Sequence, residues 1–293
     1  MDLQPGDLFE ESNQRRLSDA GVTCAEQIIA LLGRGLVLAM ALEKWASQGI
    51  WVIGWSDPEY PVNYKERLKC QAPPILYGIG DKALLSAGGL AIIGSRDVDE
   101  QGITFARKAA DSCAAHGTQV ISGGARGVDS EAMLACLDNG GNAVGVLSDS
   151  LDRHAVSSRF RNAIVNRSLV LVSPFEPEAR FFVSNAMARN KLIYTLADFA
   201  LVISSDYKKG GTWAGAVEDL DKGWVPLFVR KDSSVPVGNL RLLDAGAMAI
   251  DESSLSSNGI VGWMQQEIAS RGGFDGMTNS EAVDPPQRTL PLF

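Results

Sequence analysis

The chain has only two histidines, His116 and His154, and neither sits in a nucleophile motif, which removes a Ser-His-Asp or Cys-His catalytic set. His154 is expected in a surface loop and His116 at a helix end. The four cysteines, Cys24, Cys70, Cys113 and Cys136, are scattered without a Cys-x-x-Cys pair, so reduced, partly buried thiols are expected and a structural zinc site is not. No apolar run approaches the length of a membrane span, and Met1-Asp2-Leu3-Gln4-Pro5 has no basic start leading into an apolar stretch. A soluble, cytoplasmic protein with no membrane partner is expected. Carboxylates do not gather at predicted strand ends, as metal-dependent phosphoryl transfer requires; Asp129 stands nearly alone there. Its expected role is to accept backbone N–H bonds that brace a glycine turn. The residues thus point to a binding protein, with no catalytic residue, no cofactor and no metal.

Positive charge is also in short supply, with a net charge of -8. Residues 1–20 hold five acids against two bases and residues 249–293 six against two, so seven of the eight excess negative charges sit at the two ends. A coat of basic residues for duplex DNA is excluded, but a near-neutral middle can carry a local basic rim.

What the chain does have is glycine turns after short apolar runs. Residues 90–129 contain Leu90-Ala91-Ile92-Ile93 followed by Gly94-Ser95-Arg96, then Gln119-Val120-Ile121 followed by Ser122-Gly123-Gly124-Ala125-Arg126-Gly127-Val128-Asp129. A helical pattern follows each turn. This is the βαβ signature, and in such sheets ligands bind beyond the carboxyl ends of the strands. Glycine lets the backbone approach a ligand closely, free helix N–H groups favour phosphate, and Arg96 and Arg126 add forks for phosphate oxygens or base faces.

The alternation continues with a helix over residues 101–116, a strand at 118–121, a helix at 128–137, a strand at 143–147, a helix at 158–165 and a strand at 169–172. Residues 185–196 form a helix with Arg189, Asn190 and Lys191 placed at its start, where basic residues imply a ligand that supplies the negative charge. A strand at 199–203 delivers Lys208-Lys209-Gly210-Gly211-Thr212, a further basic turn, and Pro226-Leu227-Phe228-Val229 is read as the last main strand. Residues 57–80, rich in proline, read as an extended connector, with Tyr64 and Tyr77 packed on the sheet. Residues 1–56 read as a small helical module whose helix through Ile28 to Leu32 opens on a Thr23-Cys24-Ala25-Glu26 capping box. Residues 251–293 read as a linker-like tail with one short helix at 260–268.

The ordered set Gly94-Ser95-Arg96, Ser122 to Asp129 and Arg189-Asn190-Lys191-Leu192-Ile193 resembles the DNA-processing protein A (DprA/Smf) family, as do Asp57-Pro58-Glu59-Tyr60-Pro61, Pro73-Pro74-Ile75-Leu76-Tyr77-Gly78, Gly210-Gly211-Thr212 and Gly238-Asn239. The resemblance implies an α/β fold: a Rossmann-like, mostly parallel sheet with helices on both faces over residues 57–250, plus a small helix-hairpin-helix-related module over residues 1–56. It implies single-stranded DNA binding in DNA processing, recombination and DNA uptake, loading of a RecA-type recombinase, and a homodimer; Trp224 and Phe228, near the last strand, are read either as anchors of that interface or as residues packed inside the monomer. Carried over by position, the DNA-binding residues are Arg96, Ser122, Gly123, Gly124, Arg189, Asn190 and Lys191; the basic glycine turns add Arg126, Lys209, Gly210 and Gly211 to the expected set. Many relatives end in a winged-helix domain, which this chain is expected to lack.

The chain departs from the family at Ala186, where an aromatic is usual, and at Met133, Pro174 and Ala155-Val156. These departures keep open an alternative: a Rossmann-like nucleotide or nucleic-acid sensor in a phage-defence or mobile-element system. The apolar Leu290, Leu292 and Phe293 at the chain's tip look similar to peptides that hook a sliding clamp, which sets a docking role for them against the plainer alternative of a tail packed back onto its own domain.

Overall fold

Short apolar runs rich in β-branched residues, buried along their whole length, make the central strands. Such runs suit parallel strands covered on both faces. The computed structural model describes residues 5–255 and 259–274. In chain order its elements are α1 (Glu11–Asp19), α2 (Ala25–Leu32), α3 (Gly35–Ser47), β1 (Trp51–Gly54), α4 (Val62–Leu68), β2 (Ile75–Gly80) and β3 (Leu90–Ile93). Next come α5 (Glu100–Ala115), β4 (Val120–Ser122), α6 (Val128–Asp138), β5 (Ala143–Val146), α7 (Leu151–Ala155), α8 (Ser158–Val165) and β6 (Leu169–Ser173). The rest are α9 (Val183–Leu196), β7 (Phe199–Val202), α10 (Gly210–Lys222), β8 (Leu227–Arg230), α11 (Val237–Asp244), β9 (Met248–Ile250) and α12 (Ile260–Ser270).

The chain packs as two units, Met1–Trp51 and Val52–Phe293. Within the first, α2 and α3 leave Leu31, Leu36, Val37, Leu38 and Met40 exposed. The expected capping box does not form: the N-cap of α2 is Cys24, and no side chain bonds the helix start. Among the described residues no single helix is long and apolar enough to cross a membrane.

The second unit is built on a nine-stranded sheet in the order β1-β2-β6-β5-β4-β3-β7-β8-β9. Every pair from β6 through to β9 is parallel, and β2 joins β6 antiparallel, with Tyr77 opposite Ser173. The chain steps from β3 to β6 in one direction and then returns to lay β7 on the other side of β3. The topological switch therefore falls at β3–β7, where a crevice opens at the carboxyl ends of the strands.

Several expected boundaries change. Residues 57–80 are not merely a connector, because α4 and β2 lie within them; alternate burial along β2 lets one face pack while the prolines stay outside the strand. Phe228 does not end the sheet, since β9 pairs with β8 through Phe228 opposite Met248. Phe228 is fully buried and Trp224 nearly so, which removes Phe228 from any surface of the protomer. Tyr64 is buried and donates its hydroxyl to the Leu192 carbonyl at 3.1 Å, fixing α4 against α9. The helix expected near residue 260 is α12; Ile260 and Met264 are buried, and the Ile260 N–H donates to Ser112 Oγ of α5 at 2.9 Å. Leu290, Leu292 and Phe293 lie outside the described residues.

Candidate nucleic-acid interface

The turns after β3 and β4 are interlocked. A Cβ at Gly94 would stand 2.5 Å from a methyl of Val128, and one at Gly127, whose φ is +90°, would stand 2.5 Å from the Ser95 carbonyl oxygen. Only glycine permits the two loops to close on each other in this way. Asp129 ties them further: its carboxylate accepts the Gly123 N–H at 3.1 Å and the Gly94 N–H at 3.4 Å. Burial pushes its pKa up, opposed by the Arg189 charge and by the N–H groups of Gly94, Gly123 and Ala125. This is the bracing role expected of Asp129.

Above the paired turns lies a cleft of two lobes, with cavity volumes of about 280 and 340 Å³. Arg96, Gly123, Gly124, Arg126, Asp149 and His154 line the first, and Ser95, Asn190, Lys209, Gly210 and Gly211 line the second. Arg189 and Phe181 border both lobes.

Arg189 decides the character of the site. It lies in α9, which starts at Val183, so Arg189 to Lys191 occupy the second and third turns and not the helix start. A helix dipole acts mainly within the first turn, so the argument for an anion at that end does not apply to them. A different one replaces it. Arg189 is 4% exposed, and its Nε and Nη1 are buried without a hydrogen-bond partner. Nη1 lies beneath Gly123, close enough that a Cβ there would fall 1.8 Å from it. Burial lowers the pKa of the guanidinium, with Asp129 opposing and Arg96 adding to the shift. An arginine stays charged under such pressure, so a cation with spare donors forms the floor of the cleft.

The remaining expected residues divide. Arg96 and Arg126 are exposed at the mouth, and the Arg96 guanidinium stacks 5.1 Å from the centroid of the Phe181 ring. Asn190 faces the second lobe and donates Nδ2 to the Gly211 carbonyl at 3.0 Å, which joins α9 to the first turn of α10. Lys209 is the exposed N-cap of α10. Ser122 is fully buried and donates to the Ile92 carbonyl at 2.6 Å, clamping β4 to β3 below the cleft. Lys191 projects elsewhere, its amine 3.3 Å from Gln71 Oε1. The Gly238-Asn239 pair is architectural: buried Asn239 accepts the Ser205 N–H at 2.8 Å and donates to the carbonyls of Ile203 and Arg230.

Phe181 and His154 were not expected at the site. The signal for Phe181 was its position just before a helix that already carried Arg189; His154, in α7, is delivered by the loop after β5. Among the described residues no group of three or more His, Cys, Asp or Glu side chains is placed to hold a metal ion.

The DNA processing protein DprA of Streptococcus pneumoniae is 30% identical over 156 residues, 53% of this chain and 54% of that relative, so the chain matches about half of the relative's length. The X-ray structure of DNA processing protein A from the same organism shares the fold, with a TM-score of 0.68 and 20% identity over 87% of this chain and 86% of that one. A structure of DNA processing protein A from Helicobacter pylori aligns with a TM-score of 0.60 and 23% identity over 76% of this chain and 98% of that one. The profile of the family described as DNA recombination-mediator protein A matches residues 51–257, and the chain belongs to that family.

Proposed function

We propose that the cleft binds single-stranded DNA and that the protein acts in DNA processing by holding a strand for recombination. The observation that carries this reading is Arg189, a buried guanidinium with unpartnered Nε and Nη1 at the base of a cleft bordered by Arg96, Arg126 and Lys209. A buried cation without an acceptor is costly, and a phosphate oxygen is the partner best suited to it. Cations spread along a strand-end rim suit successive phosphates of a flexible strand, whereas duplex readout needs an element presented to a groove. The Helicobacter pylori relative is described as having a single-stranded DNA binding mode, which supports the same ligand here. Loading of a RecA-type recombinase, a role in DNA uptake and a homodimeric platform extend this proposal.

Fluorescence anisotropy with labelled single strands and duplexes at low and high salt tests it. Single strands should bind more tightly, without added metal, and lose affinity as salt rises. Failure of single strands to bind at low salt overturns the reading. The first lobe, at about 280 Å³ with three arginines, is also close to the size of a small-molecule pocket, which favours a nucleotide-sensing role as the second reading. Tight binding of a mononucleotide with no binding of oligonucleotides would select it.

A further inference from the structure

Beyond the second lobe, on the loop between β7 and α10, Tyr207 stands 44% exposed. The Lys208 amine lies 5.2 Å from the centroid of its ring and the Arg241 guanidinium 5.8 Å from it. The Trp213 ring meets Tyr207 edge-on at 5.0 Å, which fixes the tyrosine's orientation. Lys208 itself is held at φ +55°, in the left-handed region that a lysine seldom occupies. Two cations and an oriented aromatic thus share one exposed spot. Lys209 and Gly210, next in the chain, line the second lobe. Arg241 comes from α11, so the rim of strand ends continues from β7 to β8.

We infer that Tyr207, with Lys208 and Arg241, is an additional subsite for single-stranded nucleic acid, stacking a base outside the cleft while the two cations take the flanking phosphates. The inference rests on the strand-binding reading above and sets the length and path of the strand. Loops after β5, β4, β3, β7 and β8 contribute in that spatial order. Four steps between neighbouring strands span about 19 Å. Stacked phosphates advance about 3.4 Å each, so the whole track holds roughly five nucleotides, fewer when extended. An exposed cation–π contact is weaker than base–aromatic stacking, so a base displaces Lys208 and Arg241 from the ring toward its own phosphates. Arg241 also pairs with Asp244 at 3.2 Å, both side chains being more than half exposed, and that contact yields readily to a phosphate.

The test compares labelled oligothymidines of roughly three and roughly twelve nucleotides, lengths below and well above the track, on the full chain and on two variants. Tyr207→Ser should weaken the long strand roughly tenfold and leave the short one within about twofold. Lys208→Gly removes one cation while relaxing its backbone, so a selective loss for the long strand cannot come from misfolding. Loss at neither length, as expected of a protein-docking patch, or equal loss at both, overturns the subsite. A wild-type protein that binds both lengths equally also overturns it while leaving the cleft reading intact. If the wild type binds neither, the strand-binding reading fails and the subsite with it.

Discussion

Replacing Gly123 with alanine adds one methyl group at the tightest point of the cleft. The new Cβ would lie 1.8 Å from Arg189 Nη1 and 2.6 Å from Asp129 Oδ2. Side-chain contacts at Cβ essentially never fall below 3.0 Å, so the guanidinium must retreat by at least 1.2 Å. The backbone at Gly123 is not left-handed, so the cost comes from this collision and not from the turn. Overpacking a buried site costs about 1–3 kcal/mol, and Asp129 also loses part of its opposing charge. A shift of that size carries Arg189 out of hydrogen-bond range of a phosphate seated at about 2.9 Å. Losing one charge-assisted bond of about 1.5–3 kcal/mol weakens binding by roughly 10- to 150-fold. Gly140→Ala, outside the cleft, is the matched control: its φ of +74° strains the backbone, but nothing lies within 4 Å of the added carbon. Urea denaturation and oligonucleotide anisotropy on both variants separate the effects. A Gly123→Ala protein with wild-type affinity would refute Arg189 as the strand's anchor.

Arg96→Ala should weaken strand binding by about 1–2 kcal/mol, whereas Lys191→Ala should leave it within roughly twofold because that amine faces Gln71; anisotropy titrations distinguish the two. Asp129→Ala strands the N–H groups of Gly94 and Gly123 and should cost about 2–4 kcal/mol in chemical denaturation, with binding lost as the turns separate. Burial raises the Asp219 pKa from 3.8 to about 8, against a Val225 N–H bond and the Arg67 charge that lower it. The folded protein therefore keeps a proton that the unfolded chain releases, so this group's stabilisation is full below pH ~4 and declines by about 1.4 kcal/mol per unit until pH ~8. Asp219→Asn should flatten that slope in a pH series of urea midpoints, and an unchanged slope would remove Asp219 as its source.

The central sheet was legible because its runs are short, apolar and separated by glycine turns; α8 begins and ends where the pattern puts it. Asp129 was legible for a chemical reason: a single carboxylate just after a glycine turn has backbone N–H groups within reach and little else. The outer strands were harder to read. Proline around β2 imitates a connector, and β9 has three residues, too few for alternation to register. The start of α9 was displaced because Phe182 and Val183, aromatic and β-branched, are weak helix signals. Arg189 and Lys191 were grouped by adjacency, yet residues two apart on a helix point about 160° from each other. One goes under the glycine turn and the other out toward Gln71. Burial of Arg189 had no signature in the sequence, since it depends on Gly123 arriving from another strand.

The interlocked turns after β3 and β4 bear on how this site can be altered by descent or by engineering. Gly94 is sized to Val128 and Gly127 to the Ser95 carbonyl, so neither loop has a free choice of residue while the other stays fixed. A loop grafted from a relative brings only half of the fit, and it succeeds only with its counterpart some thirty positions along the chain. A bulkier residue in one loop therefore demands a matching change in the other, and the unit of exchange is the two-loop module, not the single motif.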